Sequence, residues 1–337
     1  MPTIGEIVRP NEDAEFASDV QLYWYPNDRR NDRLACGYIW TSKAIDNRHS
    51  SVQILEKLQL AFTWDREPNR YVIIATYGHG KSHLALAVAN FFGKPAESDV
   101  VKSIFDNIEH AIGDPAAARK FRDFKQAHRP YLVVRLHGDQ MKNLHQQVVT
   151  GVETALYEHD ETKDAILPFW FGQAEAFLEG LSGENLQKAN EFLETHGTEV
   201  GLLLARVRDR DSACYELCRQ VHRHLYGTLP DFGGEISPQE IIKWTVDEFC
   251  GEGKPFPGLL VLFDEFSAFV RNCASGASVN PSSALQNLLQ GIADHPGKAV
   301  FVAFSQHDPD TVGACPSHSG KLTGGSSILC RFALLVN

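Results

Sequence analysis

The stretch VIIATYGHGKSH, Val72 to His83, constrains this chain more than any other part of it. Tyr71 to Ala75 is a short β-branched run suited to a buried strand. Ser82 to Phe92, rich in Ala and Leu, predicts a helix stopped by Gly93 and Pro95. Between them lie Gly78 and Gly80, followed at once by Lys81. A strand, a glycine-rich turn and a helix in that order aim backbone N–H groups and the positive end of the helix at one point, an arrangement suited to phosphate. The pattern G-x-x-x-x-G-K-[ST] is met except at its first position, where Ala75 stands for glycine. A methyl group is tolerable there if φ stays negative. The inner glycines, nearest the phosphates, are intact, so the loop reads as competent. Lys81 would reach the β- and γ-phosphates and the Ser82 hydroxyl would ligate Mg²⁺. Tyr77, Gly78, His79, Gly80 and His83 complete the expected nucleotide contacts, with the two histidines read as solvated or packed side chains rather than catalysts.

The second constraint is LLVLFDEF, far along the chain. An apolar strand, Leu259 to Phe263, ends in Asp264 and Glu265, which would set both carboxylates at the carboxyl edge of a sheet, where a phosphate loop also sits in open α/β folds. Asp264 would hold Mg²⁺ through water, and Glu265 would orient and polarise an attacking water. A glutamate in that place favours hydrolysis of ATP over phosphoryl transfer to a metabolite. A further strand, Lys298 to Gln306, ends in AFSQHD. There Ser305 or Gln306 would touch the γ-phosphate or the water, and Gln306 is preferred for its reach.

With YLVVRL (Tyr131 to Leu136), these runs give four apolar strands alternating with helices. The fold class is therefore α/β: a P-loop-type, mostly parallel sheet with helices on both faces. Residues 141–251 read as a mostly helical insertion between the second and third strands, in which SPQEIIKWTVDEFC carries a capping signature at Ser237 and Glu240. The expected organisation is a polar and aromatic N-terminal segment (1–50), with PNDRRNDR read as a charged turn, then a first core part (51–140). The insertion, a second core part (252–310) and an irregular tail without a clear fifth strand (311–337) follow.

A formal net charge of −11 argues against a surface built wholly to coat nucleic acid, without excluding a local basic groove. RQVHRHLYG, Arg219 to Gly227, reads as a solvated basic face. His137 in RLHGD is a lone strand-end histidine with no nucleophile pattern beside it. No apolar run approaches a membrane span, and the N-terminus lacks secretory character. Seven scattered cysteines, Cys214 and Cys218 among them, read as reduced structural thiols of a cytoplasmic protein.

TYGHGKSHLALAVANFF and LLVLFDEFSAFVRN together resemble the P-loop ATPases of bacterial phage-defence systems, in particular the BrxC/PglY-type ATPases of BREX loci. The likeness spans roughly residues 50–310 and rests on those two motifs. It implies an AAA-like core that binds ATP and Mg²⁺ and couples hydrolysis to remodelling or assembling a defence complex. Its partners would be nucleotide, other proteins of that complex and, indirectly, DNA, with self-association open and no membrane partner. Such ATPases are much longer, so the chain is expected to be an N-terminal fragment or a truncated reading frame, and no arginine finger is visible in it. GKSHLA is also similar to the DnaC/IstB-type helicase loaders, but those have a short path between the two motifs. The alternatives are a nucleotide-dependent switch or scaffold with little turnover, and a loader-like DNA accessory ATPase, which the acidic net charge disfavours.

Overall fold

The computed structural model describes residues 20–25, 28–43, 49–76, 78, 80–138, 144–165, 170–209, 211, 214–230, 236–274, 281–307 and 333–336. Five strands form one sheet: β1 (Arg70–Ile74), β2 (Leu132–His137), β3 (Leu259–Asp264), β4 (Ala299–Ser305) and β5 (Ala333–Val336). Their order is β2-β3-β4-β1-β5, and every pairing is parallel. Parallel strands need helical crossovers, which cover both faces of the sheet. The central strands accordingly read as unbroken apolar runs, and every residue of β3 and β4 is buried.

Register separates the two faces. Tyr71, Ile73, Val133, Leu260, Leu262, Val300, Val302 and Phe304 point into one core. Val72, Leu132, Val134, Val261, Phe263, Phe301 and Ala303 point into the other. Pairs such as Tyr71 with Val302 and Val72 with Ala303 keep each set together. A slip of one residue would exchange the two sets.

The first core is closed by α2 (Ser51–Thr63), α3 (Lys81–Gly93), α4 (Asp99–Ile112) and α5 (Pro115–Ala127). The second is closed by α6 (Leu144–Tyr157), α11 (Pro238–Phe249), α12 (Phe266–Ala274) and α13 (Pro281–Ala293). The chain thus leaves β1 toward one face and β3 toward the other, while β4 lies between them. That reversal opens a crevice at the carboxyl edge of the sheet.

The helical insertion divides in two. Its first and last helices, α6 and α11, belong to the sheet. Between them α7 (Trp170–Glu179), α8 (Gly183–Glu194), α9 (Val200–Arg208) and α10 (Tyr215–Tyr226) enclose a separate core of Trp170, Leu178, Leu193, Leu203, Val207 and Val221. Cys214 and Cys218 are fully buried in that core, and burial pushes the Cys218 thiol up to about 12, as expected of inert structural cysteines. The capping box at Ser237 and Glu240 is complete, with both reciprocal hydrogen bonds formed.

Two expectations fail. Most of the supposed charged turn PNDRRNDR is helix α1 (Asp28–Cys36), packed against α3. Its buried face is led by Asn31 rather than by an apolar residue, and so hides from a hydrophobicity pattern. Asn31 and Asn90 are both fully buried and exchange side-chain hydrogen bonds of 2.8 and 2.7 Å. Lys94 adds an ion pair to Asp32 at 2.6 Å. Likewise, the tail does supply a fifth strand. Ala333–Val336 is short, which weakens its signal, but it finds the free edge of β1. The rest of 308–337 and the first 19 residues of the expected N-terminal segment lie outside the described residues. Among the described residues, no helix is long and apolar enough to cross a membrane.

The Asn31–Asn90 pair generates a test. Asn31→Ala and Asn90→Ala should each cost about 1–3 kcal/mol, because each leaves a buried amide without its partner. In urea denaturation the double variant should lose clearly less than the sum. Strict additivity would contradict a coupled pair.

Candidate functional site

The turn between β1 and α3 is shaped by Gly78 at φ 82° and Gly80 at φ 72°. Neither position is crowded, since a Cβ at Gly78 would meet nothing within 4 Å. What excludes other residues is the left-handed backbone itself. Ala75 does not share it: its φ is not positive, its methyl is buried, and its N–H bonds to the Ser305 carbonyl at 3.2 Å. The substitution at the first glycine position therefore leaves the turn unstrained. Tyr77 and His79 lie outside the described residues.

Lys81 opens α3, is only 8% exposed, and donates to the Thr76 carbonyl at 3.2 Å. Burial lowers its pKa, and Glu265 and then Asp264 oppose that shift. The two distant acids of the sequence therefore stand close enough to act on this ammonium. Strand order explains the meeting. Only β4 separates β1 from β3, so their ends are about 10 Å apart at the usual strand spacing.

Asp264 is 1% exposed. Burial raises its pKa, against the lowering effects of the Ser82 hydroxyl, the Glu265 N–H, His137 and Lys81. Its Oδ1 accepts the Glu265 N–H at 2.9 Å. Ser82 approaches the carboxyl, yet Oδ2 is buried with no partner in hydrogen-bonding geometry. An orphaned buried carboxylate oxygen is costly, and a hard cation beside it would offset that cost. Asp264 and Ser82 offer oxygen donors of the kind Mg²⁺ takes. Among the described residues no group of three or more His, Cys, Asp or Glu could hold a metal by itself.

Glu265 is the only non-glycine residue with positive φ among the described residues, at 52°. Such a conformation costs about 1–2 kcal/mol and tends to mark functional sites. Its effect here is geometric. Successive side chains of a strand point to opposite faces, but the reversal after Asp264 breaks that alternation at the strand end, where the charges of both carboxylates act on Lys81. Glu265 Oε2 also accepts from Gln306 Nε2 at 3.4 Å.

Ser305, the alternative to Gln306, is fully buried and engaged elsewhere. Its Oγ bonds to Ser267 Oγ at 2.7 Å and donates to the His307 carbonyl at 2.6 Å. Ser267 was not anticipated. Its hydroxyl accepts the N–H groups of Gln306 at 2.8 Å and His307 at 3.3 Å, welding the start of α12 to the end of β4. His83, expected among the nucleotide contacts, turns its ring away to the Leu34 carbonyl and packs edge-on against Tyr38 at 5.1 Å. Burial lowers its pKa. Its side chain ties α3 to α1, leaving only its main chain in the first turn of α3. His137, read as a lone histidine, is the cross-strand neighbour of Asp264.

Comparison of the chain with protein-family models, with curated proteins and with solved structures gives no match.

The burial of Asp264 has a testable sign. Its folded-state pKa lies above the unfolded value, so its contribution to stability is present below the ordinary carboxyl range and lost as pH rises through the folded pKa. In metal-free buffer, Asp264→Asn should therefore stabilise the protein at neutral pH, by on the order of 1 kcal/mol. The gap from wild type should close as pH falls toward about 4. Thermal melts from pH 4.5 to 8 (both values are roughly the carboxyl titration range and above) check this, and an unchanged gap across that series would contradict it.

Proposed function

We propose that the chain binds ATP with Mg²⁺ at this edge as a P-loop ATPase. The observation that carries the reading is the meeting of Lys81 and Ser82 with Asp264 and Glu265 across β4, around a buried carboxylate oxygen that lacks a partner. In this reading the left-handed turn at Gly78 and Gly80 cradles the β- and γ-phosphates with main-chain N–H groups. Lys81 neutralises the γ-phosphate. Mg²⁺, held by Ser82 and by Asp264 directly or through water, would supply charge neutralisation for the transferring phosphoryl group. Glu265 takes the proton of the attacking water, and Gln306 positions Glu265 and that water. The main-chain N–H of His83 joins the cradle, and Tyr77 and His79 belong to it by sequence alone.

The likeness of the two motifs to BrxC/PglY-type ATPases is what supports a cytoplasmic role in remodelling or assembling a phage-defence complex with other proteins, and with DNA indirectly. A nucleotide-dependent switch is the second reading. The separate core of α7–α10 favours it, because that unit offers a body through which nucleotide occupancy can be read out.

Lys81→Ala should abolish ATP binding measured by titration calorimetry. Glu265→Gln should leave the Kd within about threefold while lowering phosphate release by about 10²–10⁴-fold, the usual range for removing a general base. Normal turnover by Glu265→Gln would overturn the role given to Glu265. Undiminished binding by Lys81→Ala would overturn the site. Tight binding with no turnover by wild type, alone or with DNA, would favour the switch.

A further inference from the structure

We propose that Gly138, at the end of β2, is the positioning residue that fixes Glu265 in its reversed conformation; this deepens the ATPase reading and rests on it for its kinetic consequence. The Gly138 N–H bonds to the Asp264 carbonyl at 2.9 Å, which brings the end of β2 directly onto the acidic turn. A Cβ at position 138 would stand 2.8 Å from the Glu265 carbonyl carbon, 3.0 Å from Phe269 N, and closer still to the Glu265 carbonyl oxygen. All three are backbone atoms, so no side-chain rotation relieves the contact.

That carbonyl also has work on its other side. It accepts the Ala268 N–H at 2.9 Å and the Phe269 N–H at 3.3 Å, the opening hydrogen bonds of α12. The Glu265 N–H is meanwhile held by Asp264 Oδ1. The peptide after Glu265 is therefore clamped between the first turn of α12 and the bare α-carbon of Gly138. The positive φ of Glu265 persists because its surroundings leave no other place for its carbonyl. Any side chain at 138 must turn that peptide. A turned peptide swings the Glu265 carboxylate away from Lys81 and Gln306 while leaving Lys81 and Ser82 where they are. Gly138 touches neither nucleotide nor metal in this account and acts only through Glu265.

The test is Gly138→Ala, with Gly151→Ala as a control. A Cβ at Gly151 on α6 would press on the same strand, 3.1 Å from the Val134 side chain, away from the acidic turn. Gly138→Ala should keep ATP affinity within about threefold and lower kcat by about tenfold or more, since small misplacements of a catalytic group are costly. Gly151→Ala should keep kcat. Combined with Glu265→Gln, Gly138→Ala should slow turnover no further than Glu265→Gln alone. A crystal structure of Gly138→Ala should show Glu265 out of the left-handed region. An unchanged φ at Glu265, or a kcat loss that adds in full to that of Glu265→Gln, overturns the proposal. If wild type neither binds nor hydrolyses ATP, the ATPase reading falls, and φ at Glu265 in the variant still decides the positioning role. If Gly138→Ala does not fold, adding Glu265→Gly, which frees the clamped peptide, should restore folding. Failure to restore it also overturns the proposal.

Discussion

A lysine ammonium taken out of water, within electrostatic reach of two carboxylates, is the interaction on which the rest of this structure turns. Neither side is favourable alone. Burial disfavours the charged form of Lys81, against Glu265 and then Asp264, and likewise the charged form of Asp264, against the Ser82 hydroxyl, the Glu265 N–H, His137 and Lys81. The remaining imbalance sits on Asp264 Oδ2, a buried acceptor with nothing to accept. A fold that maximised its own stability would not retain such an atom. In the ATPase reading proposed above, a bound cation and polyanion would offset that cost.

The architecture serves that edge. Because every strand runs parallel, all five carboxyl ends share one rim. Because β4 separates β1 from β3, the lysine-bearing turn and the acidic turn flank the end of β4, where Ser305 and Gln306 sit. Hydroxyl bonds from Ser267 fix that middle strand end to α12. On the other side, His83 and the Asn31–Asn90 pair fasten α3 to α1. The rim is thus held from both faces of the sheet. The α7–α10 unit has a core of its own, apart from both faces of the sheet.

Much of this is written locally in the sequence. The β-branched run before Ala75, the glycines at 78 and 80, the apolar strand ending in Asp264, and Ser237 three residues before Glu240 each declare their structure through short-range chemistry. What depends on tertiary context is harder to read. Helix α1 looks like a charged turn because an asparagine leads its buried face, and that residue's buried partner is Asn90, far away in sequence. Strand β5 is four residues long and is a strand only because β1 has a free edge. The ring of His83 belongs to α1 rather than to the glycine-rich turn, which adjacency in sequence does not disclose. Glu265 is visible as an acid, but its reversed backbone and its dependence on Gly138 arise from a contact between two strand ends. A glycine at the end of a predicted strand, beside a predicted acidic strand end, was the one hint available.

The most direct test of the central claim is a crystal structure of the protein with Mg²⁺ and a non-hydrolysable ATP analogue. The account predicts the triphosphate against the turn at Gly78 and Gly80, with Lys81 Nζ on its phosphate oxygens and the metal between it and the Ser82–Asp264 pair. A nucleotide bound anywhere else, or a metal that leaves Asp264 Oδ2 without a direct or water-bridged contact, would contradict it.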